Sequence, residues 1–168
     1  IDWSDRLIGI KGTRGVGKTT FLLQYAKEKF GTDRSCLFIN MNNFYFSGHS
    51  IVDFANEFQK RGGKVLLIDQ VFKHPEWSKE LRMCYDRYPN LKIVFTGSSV
   101  MRLKEENLEL RDIAKSYNLR GFSFREFLNL QTGMKFRAYS LEEILSTHEQ
   151  IAKGVLSKVR PLDYFQDY

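Results

Sequence analysis

Gly12-Thr13-Arg14-Gly15-Val16-Gly17-Lys18-Thr19 reads G-x-x-x-x-G-K-T, and the apolar residues Leu7, Ile8 and Ile10 run straight into it. A strand, this stretch and then a helix make a cradle for phosphate. The glycines let successive main-chain N–H groups turn inward on anionic oxygens, and the positive end of a helix beginning near Gly17 adds attraction. Lys18 is then expected to reach the β and γ phosphates of a nucleotide. The Thr19 hydroxyl is expected to hold magnesium, whose other ligands are mostly water and phosphate oxygen. Gly12 through Thr20, with Thr20 the last residue to touch it, is the predicted nucleotide-binding segment.

Outward from the cradle, Phe21, Leu22, Tyr25, Ala26 and Phe30 fall on one helical face, and Gly31 stands where a left-handed residue closes a helix. Cys36 to Ile39 reads as a second strand ending at Asn40, and Asn42, Asn43, Ser47 and Gly48 as loop. A helix from about Ser50 carries Ile51, Phe54, Ala55 and Phe58, and stops at Gly62-Gly63. Val65, Leu66, Leu67 and Ile68 then form the most apolar strand, terminated by Asp69. Continuous apolarity implies burial on both faces, as in the middle of a parallel sheet.

Pro75 is expected to open the next helix, with Trp77, Leu81, Cys84, Tyr85 and Tyr88 on one stripe up to Pro89-Asn90. Leu91, Ile93, Val94 and Phe95 give a further strand, closed by Thr96-Gly97-Ser98-Ser99. Val100 to Asp112 is charged and reads as loop or helix, and Lys115 to Leu119 as a weakly patterned fifth strand. Ser123 opens a helix with Phe124, Phe127 and Leu128 inside. Ser140 with Glu143 makes a capping box for a last helix carrying Leu141, Ile144, Leu145, His148, Ile151 and Val155. Strands alternating with helices predict an α/β three-layer sandwich with a mainly parallel sheet of about five strands and ligands at the strands' carboxyl ends.

A chain of 168 residues with 14 Phe, 8 Tyr and 2 Trp is long enough to bury an aromatic-rich core without a staple. Cys36 and Cys84 lie on apolar patterns, which predicts reduced thiols and a cytoplasmic protein rather than a disulfide or metal pair. No apolar run approaches the length of a membrane span. Ile1 and Arg160-Pro161 read as cut points of a longer protein. The net charge of +6 is spread along the sequence, which fits a field for triphosphate as well as a nucleic-acid partner. His74 and His148 lack ligand-spaced partners, and Trp77 and Tyr85 read as packing.

Chemistry at a phosphate cradle needs an acidic residue at the end of a neighbouring buried strand, and Asp69 fills that position for magnesium. In many ATPases of this type the next residue is a glutamate that polarises water; here it is Gln70. An amide takes no proton, so hydrolysis should lose about 10²- to 10⁴-fold while binding survives. Three readings stay open: a naturally slow hydrolase, a substitution that holds ATP in place, or a glutamine that orients water. Thr96 and Ser98 are candidates to sense the γ-phosphate or steer water, and Arg111 to act as a finger toward nucleotide in this chain or a neighbour. No N-K-x-D for guanine and no L-S-G-G-Q occur, while the Val100 to Arg125 segment could imitate the lid of a small-molecule kinase.

The cradle with Thr20, Leu67-Ile68-Asp69-Gln70-Val71 followed by Pro75 and Trp77, Phe95-Thr96-Gly97-Ser98-Ser99, and Ser123-Phe124-Arg125-Glu126-Phe127-Leu128 together resemble a group of prokaryotic AAA-type P-loop ATPases over roughly Asp5 to Leu130. The resemblance implies an ATPase core, here 1–138, followed by a C-terminal domain, of which 139–168 is expected to be only the first helix, truncated here. It implies ATP and Mg²⁺ at Lys18, Thr19 and Asp69, sensor-like hydroxyls, and a frequent arginine at Arg111. Gln70 replaces the usual glutamate. Expected partners are ATP, a second copy of the chain, and DNA or a protein met through a C-terminal domain missing from this sequence. Two functions follow, an ATPase motor or switch and a nucleotide-gated binding module.

Overall fold

The computed structural model describes residues 1–98 and 107–168. Five strands alternate with helices: β1 Leu7–Gly12, α1 Lys18–Lys29, β2 Cys36–Asn40, α2 Ile51–Lys60, β3 Val65–Asp69, α3 Trp77–Arg87, β4 Lys92–Ser98, β5 Lys115–Asn118, α4 Phe124–Thr132 and α5 Leu141–Leu156. The strands form one sheet in the order β2-β3-β4-β1-β5, and all four pairings are parallel. This is the expected α/β architecture.

Side-chain alternation sorts the strand residues onto two faces. Ile8, Ile10, Val65, Leu67 and Val94 meet Leu22 of α1, with Phe21, Tyr25, Ala26 and Phe30 packed around them. Leu7, Leu66, Ile68, Ile93 and Phe95 face the other way, onto Ile51, Val52 and Ala55 of α2 and Leu81 and Cys84 of α3. Every residue of β3 is buried, which is why its sequence is continuously apolar. Each fully buried Leu or Ile in these layers is worth about 1.5–3 kcal/mol over an exposed one.

The ends of elements follow local rules. Gly31, at φ 56°, donates its N–H to Ala26 and Lys27 and closes α1 as expected. Helix α3 begins at Trp77 rather than Pro75, because His74 before the proline is extended and the helix starts only after the turn. The segment read as loop after β2 contains one 3₁₀ turn, Phe44–Ser47. Lys115–Asn118 does pair, with Ile8 through Lys11 of β1. Ser99 and most of the charged Val100 to Asp112 segment lie outside the described residues, and Leu108–Leu110 is a single 3₁₀ turn.

The chain divides into two compact units, Ile1–Gly121 and Phe122–Tyr168. The second unit contains α4, α5 and a cluster of Phe124, Phe127, Phe165 and Tyr168 rings. Capping boxes Ser123/Glu126 and Ser140/Glu143 open both of its helices. Helix α5 bends at Thr147 and has no buried residue, so the apolar pattern of Leu141, Ile144 and Leu145 remains largely exposed. Both cysteines are free; burial pushes the Cys36 thiol up to about 11 and Cys84 to about 12. No helix among the described residues is long and apolar enough to cross a membrane.

Candidate nucleotide site

Parallel pairing aligns the carboxyl ends of β1, β3 and β4 along one edge of the sheet. A cavity of about 800 Å³ opens there. Gly12, Arg14, Gly15, Gly17, Lys18, Thr19 and Thr20 line it from the loop and the first turn of α1; Asp69, Gln70 and Thr96 line it from the sheet. Gly15 and Gly17 have φ of 86° and 90°, a conformation that a side chain resists, and it is this that turns the loop around the cavity. Gly12 is needed for a different reason: a Cβ there would stand 2.3 Å from the Leu119 carbonyl oxygen.

Lys18 Nζ donates to the carbonyls of Gly12 and Thr13, at 2.8 and 2.7 Å. Partial burial pulls its pKa below the ordinary lysine value, and the Asp69 carboxylate opposes that shift. The ammonium therefore sits among acceptors that a phosphate oxygen could replace.

Asp69 is 1% exposed, yet its carboxylate is well supplied with donors. Oδ2 accepts from Thr19 Oγ1 at 2.8 Å and from Asn40 Nδ2 at 3.0 Å, while Oδ1 accepts from Thr96 Oγ1 at 2.5 Å. Thr96, itself fully buried, also accepts the N–H of Gln70 at 2.9 Å. Its hydroxyl thus joins β4 to the turn that follows Asp69. Gln70 is the one non-glycine residue with positive φ among those described, at φ 54° and ψ 45°. A left-handed residue of this kind costs roughly 1 kcal/mol and needs its surroundings to hold it, here the Thr96 hydroxyl.

The donor set fits hydrated magnesium: a hydroxyl and a carboxylate oxygen 2.8 Å apart, bordering one cavity, with room left for water and phosphate oxygen. Among the described residues no trio of His, Cys, Asp or Glu forms a metal cluster of the all-protein kind. Thr13 contributes its carbonyl to Lys18, and Val16 packs its methyl groups toward Gly12 and Gly121 instead of facing the cavity. Arg111 follows the Leu108–Leu110 turn, is exposed, and does not line the cavity. The side chain of Ser98 lies outside the described residues.

Four residues at the site are not signalled by the loop motif: Asn40, Asn42, Phe72 and Lys73. Asn42, Phe72 and Lys73 line the cavity. Asn40 is the register partner of Asp69, so two adjacent parallel strands that end together would have brought the amide beside the carboxylate. Its Oδ1 accepts the Asn42 N–H at 2.8 Å, which fixes the first turn after β2.

Residues 4–128 match the family model of the AAA domain. A search of curated proteins gives no match. With most of its length covered by that match, and with a five-stranded parallel sheet carrying the cavity at its carboxyl edge, the chain belongs to the AAA-type P-loop ATPase family.

Proposed function

We propose that this chain binds ATP with magnesium in the cavity at Gly12–Thr20 and turns it over slowly, as an ATPase core whose general base is replaced by Gln70. The observation that carries the reading is the Thr19–Asp69 hydrogen bond of 2.8 Å, which joins the start of α1 to the end of β3 at the mouth of a glycine loop. Main-chain N–H groups around Gly15 and Gly17 would hold the inner phosphates, and the Lys18 ammonium would exchange its two carbonyl partners for β and γ oxygens. Thr19 and Asp69 would hold magnesium, which when bound neutralises charge developing on the phosphates.

Gln70 lines the same cavity, and its backbone is held by Thr96. Its amide can orient water but cannot accept a proton, so turnover should fall about 10²- to 10⁴-fold below that of a carboxylate at the same place. Thr96 has its hydroxyl engaged as donor to Asp69 and acceptor from Gln70. It therefore acts by positioning those two residues. Arg111, outside the cavity of its own chain, is left to serve the nucleotide of a neighbouring copy in a homo-oligomer.

Calorimetry with Mg-ATP on the chain and on Lys18→Ala tests the site: binding that Lys18→Ala weakens by tenfold or more supports it, and no heat with either protein removes it. Phosphate release by Gln70→Glu tests the chemistry. A rise of about 10²-fold or more is expected. ATP bound by Gln70→Glu with no phosphate released would instead assign the nucleotide a structural, gating role.

A further inference from the structure

The cavity carries a third cation besides Arg14 and Lys18. Lys73 ends the 3₁₀ turn Val71–Lys73 that follows Gln70, is exposed, and lines both the nucleotide cavity and a second cavity of about 700 Å³ beside it. The base of this side chain is firmly held. Lys73 donates its N–H to the Gln70 carbonyl at 3.0 Å, the Gln70 N–H is held by Thr96, and Val71 at the start of the turn and His74 just after it are buried. Among the described residues no carboxylate pairs with the ammonium, and the Phe72 ring centroid lies 5.8 Å from Nζ.

Its position separates it from the loop. β4 lies between β1 and β3, so the end of β3 stands about 10 Å from the end of β1. Arg14 and Lys18 approach from the β1 side, where the loop would grip the inner phosphates, and Lys73 approaches from the β3 side with Asp69 and Gln70. Among the described residues three cations lining the cavity face one carboxylate, Asp69, an excess suited to a triphosphate whose terminal group alone carries about two negative charges. We propose that Lys73 contacts the terminal phosphate of ATP and so makes the site prefer ATP over ADP. This rests on the reading that the cavity binds Mg-ATP.

The test is calorimetry with Mg-ATP and Mg-ADP on the full chain, Lys73→Ala and Lys73→Arg. Lys73 is exposed, so the unfolding midpoint of each variant should match the parent's. Lys73→Ala should weaken Mg-ATP by roughly ten- to a hundredfold, the size of a charge-assisted hydrogen bond, and leave Mg-ADP within about twofold. Lys73→Arg should keep most of the preference. Equal weakening of both nucleotides, or no change in either, overturns the inference while leaving the nucleotide site intact. A parent chain that binds neither nucleotide removes the earlier reading, and this inference with it.

Discussion

Gly12 ends β1 with a Cβ position 2.3 Å from the Leu119 carbonyl oxygen and 3.1 Å from Val16 Cγ2. Both neighbours are constrained, since Leu119 donates its N–H to Lys11 at 2.7 Å and Val16 belongs to the loop itself. Gly12→Ala must therefore displace either the end of β5 or the loop, and we expect a loss of about 1–3 kcal/mol in urea unfolding together with weaker Mg-ATP binding. An unchanged midpoint and affinity would show that the close approach is not required. The motif in the sequence names Gly12 and Gly17 alike and leaves Gly15 free, but it is Gly15 and Gly17 that use positive φ, and Gly12 is small because β5 passes beside it. That reason cannot be read locally, since Leu119 lies far along the chain. Asn40 is hidden for the same cause: a strand-ending asparagine acquires meaning only when parallel register sets it against Asp69. Lys18, Thr19 and Asp69 are legible because the chemistry of a phosphate cradle fixes their types and spacing.

At the scale of elements, α2 shows how a helix end recruits a distant side chain. Ser50 caps it locally, accepting the Asp53 N–H at 3.0 Å, and Glu80 of α3 accepts from the N–H of Ile51 and, at 3.4 Å, of Val52. The carboxylate thus meets the positive end of the helix while closing one wall of the second cavity. Ser50→Ala should cost about 1 kcal/mol, and Glu80→Ala about 1–3 kcal/mol because it strands the N–H of fully buried Ile51. Thermal unfolding compares these with Glu57→Ala, whose carboxylate makes only a surface pair with Lys60 at 3.2 Å. A Glu80→Ala midpoint equal to that of Glu57→Ala would refute the clamp. The start of α2 near Ser50 is legible in the sequence, whereas the Glu80 clamp depends on how α2 and α3 pack. β5 is likewise a tertiary product: Lys115–Asn118 has little strand character of its own and is held by hydrogen bonding to β1. Helix α5 is the reverse case, with a clear capping box and apolar stripe but no buried residue.

Over the whole molecule, the order of strands and helices gives the layered sheet, because alternating βα units leave few topologies and buried strands announce themselves by continuous apolarity. The division at Gly121 is not legible, since no composition change marks it. Two measurements address this scale. In the unfolded chain Cys84 ionises near its ordinary value of 9.0, and in the fold it holds its proton to about 12. Above pH 9 the unfolded state binds fewer protons, so stability falls as pH rises, by about 1.4 kcal/mol per pH unit from this thiol up to its folded value. Urea unfolding between pH 8 and pH 10.5 should show a shallower alkaline decline in Cys84→Ala, and identical slopes would contradict the burial effect. Hydrogen exchange separates the two units. β1, β3 and β4 are almost wholly buried, whereas Leu128 is the only buried residue described beyond Gly121, so amides of α5 should exchange through small local openings and those of β3 only in larger ones. Mg-ATP at about 100 times its Kd should add about 2.7 kcal/mol of protection to the sheet and α1, which supply Gly12, Lys18, Thr19, Thr20, Asp69 and Thr96 to the cavity lining. Both tryptophans, Trp3 and Trp77, belong to the first unit, so the same stabilisation should appear in their fluorescence during urea unfolding while α5 amides keep their rates. Equal protection of α5 and β3 by nucleotide would mean that the two units open together, and the cavity would then govern the cooperativity of the entire chain.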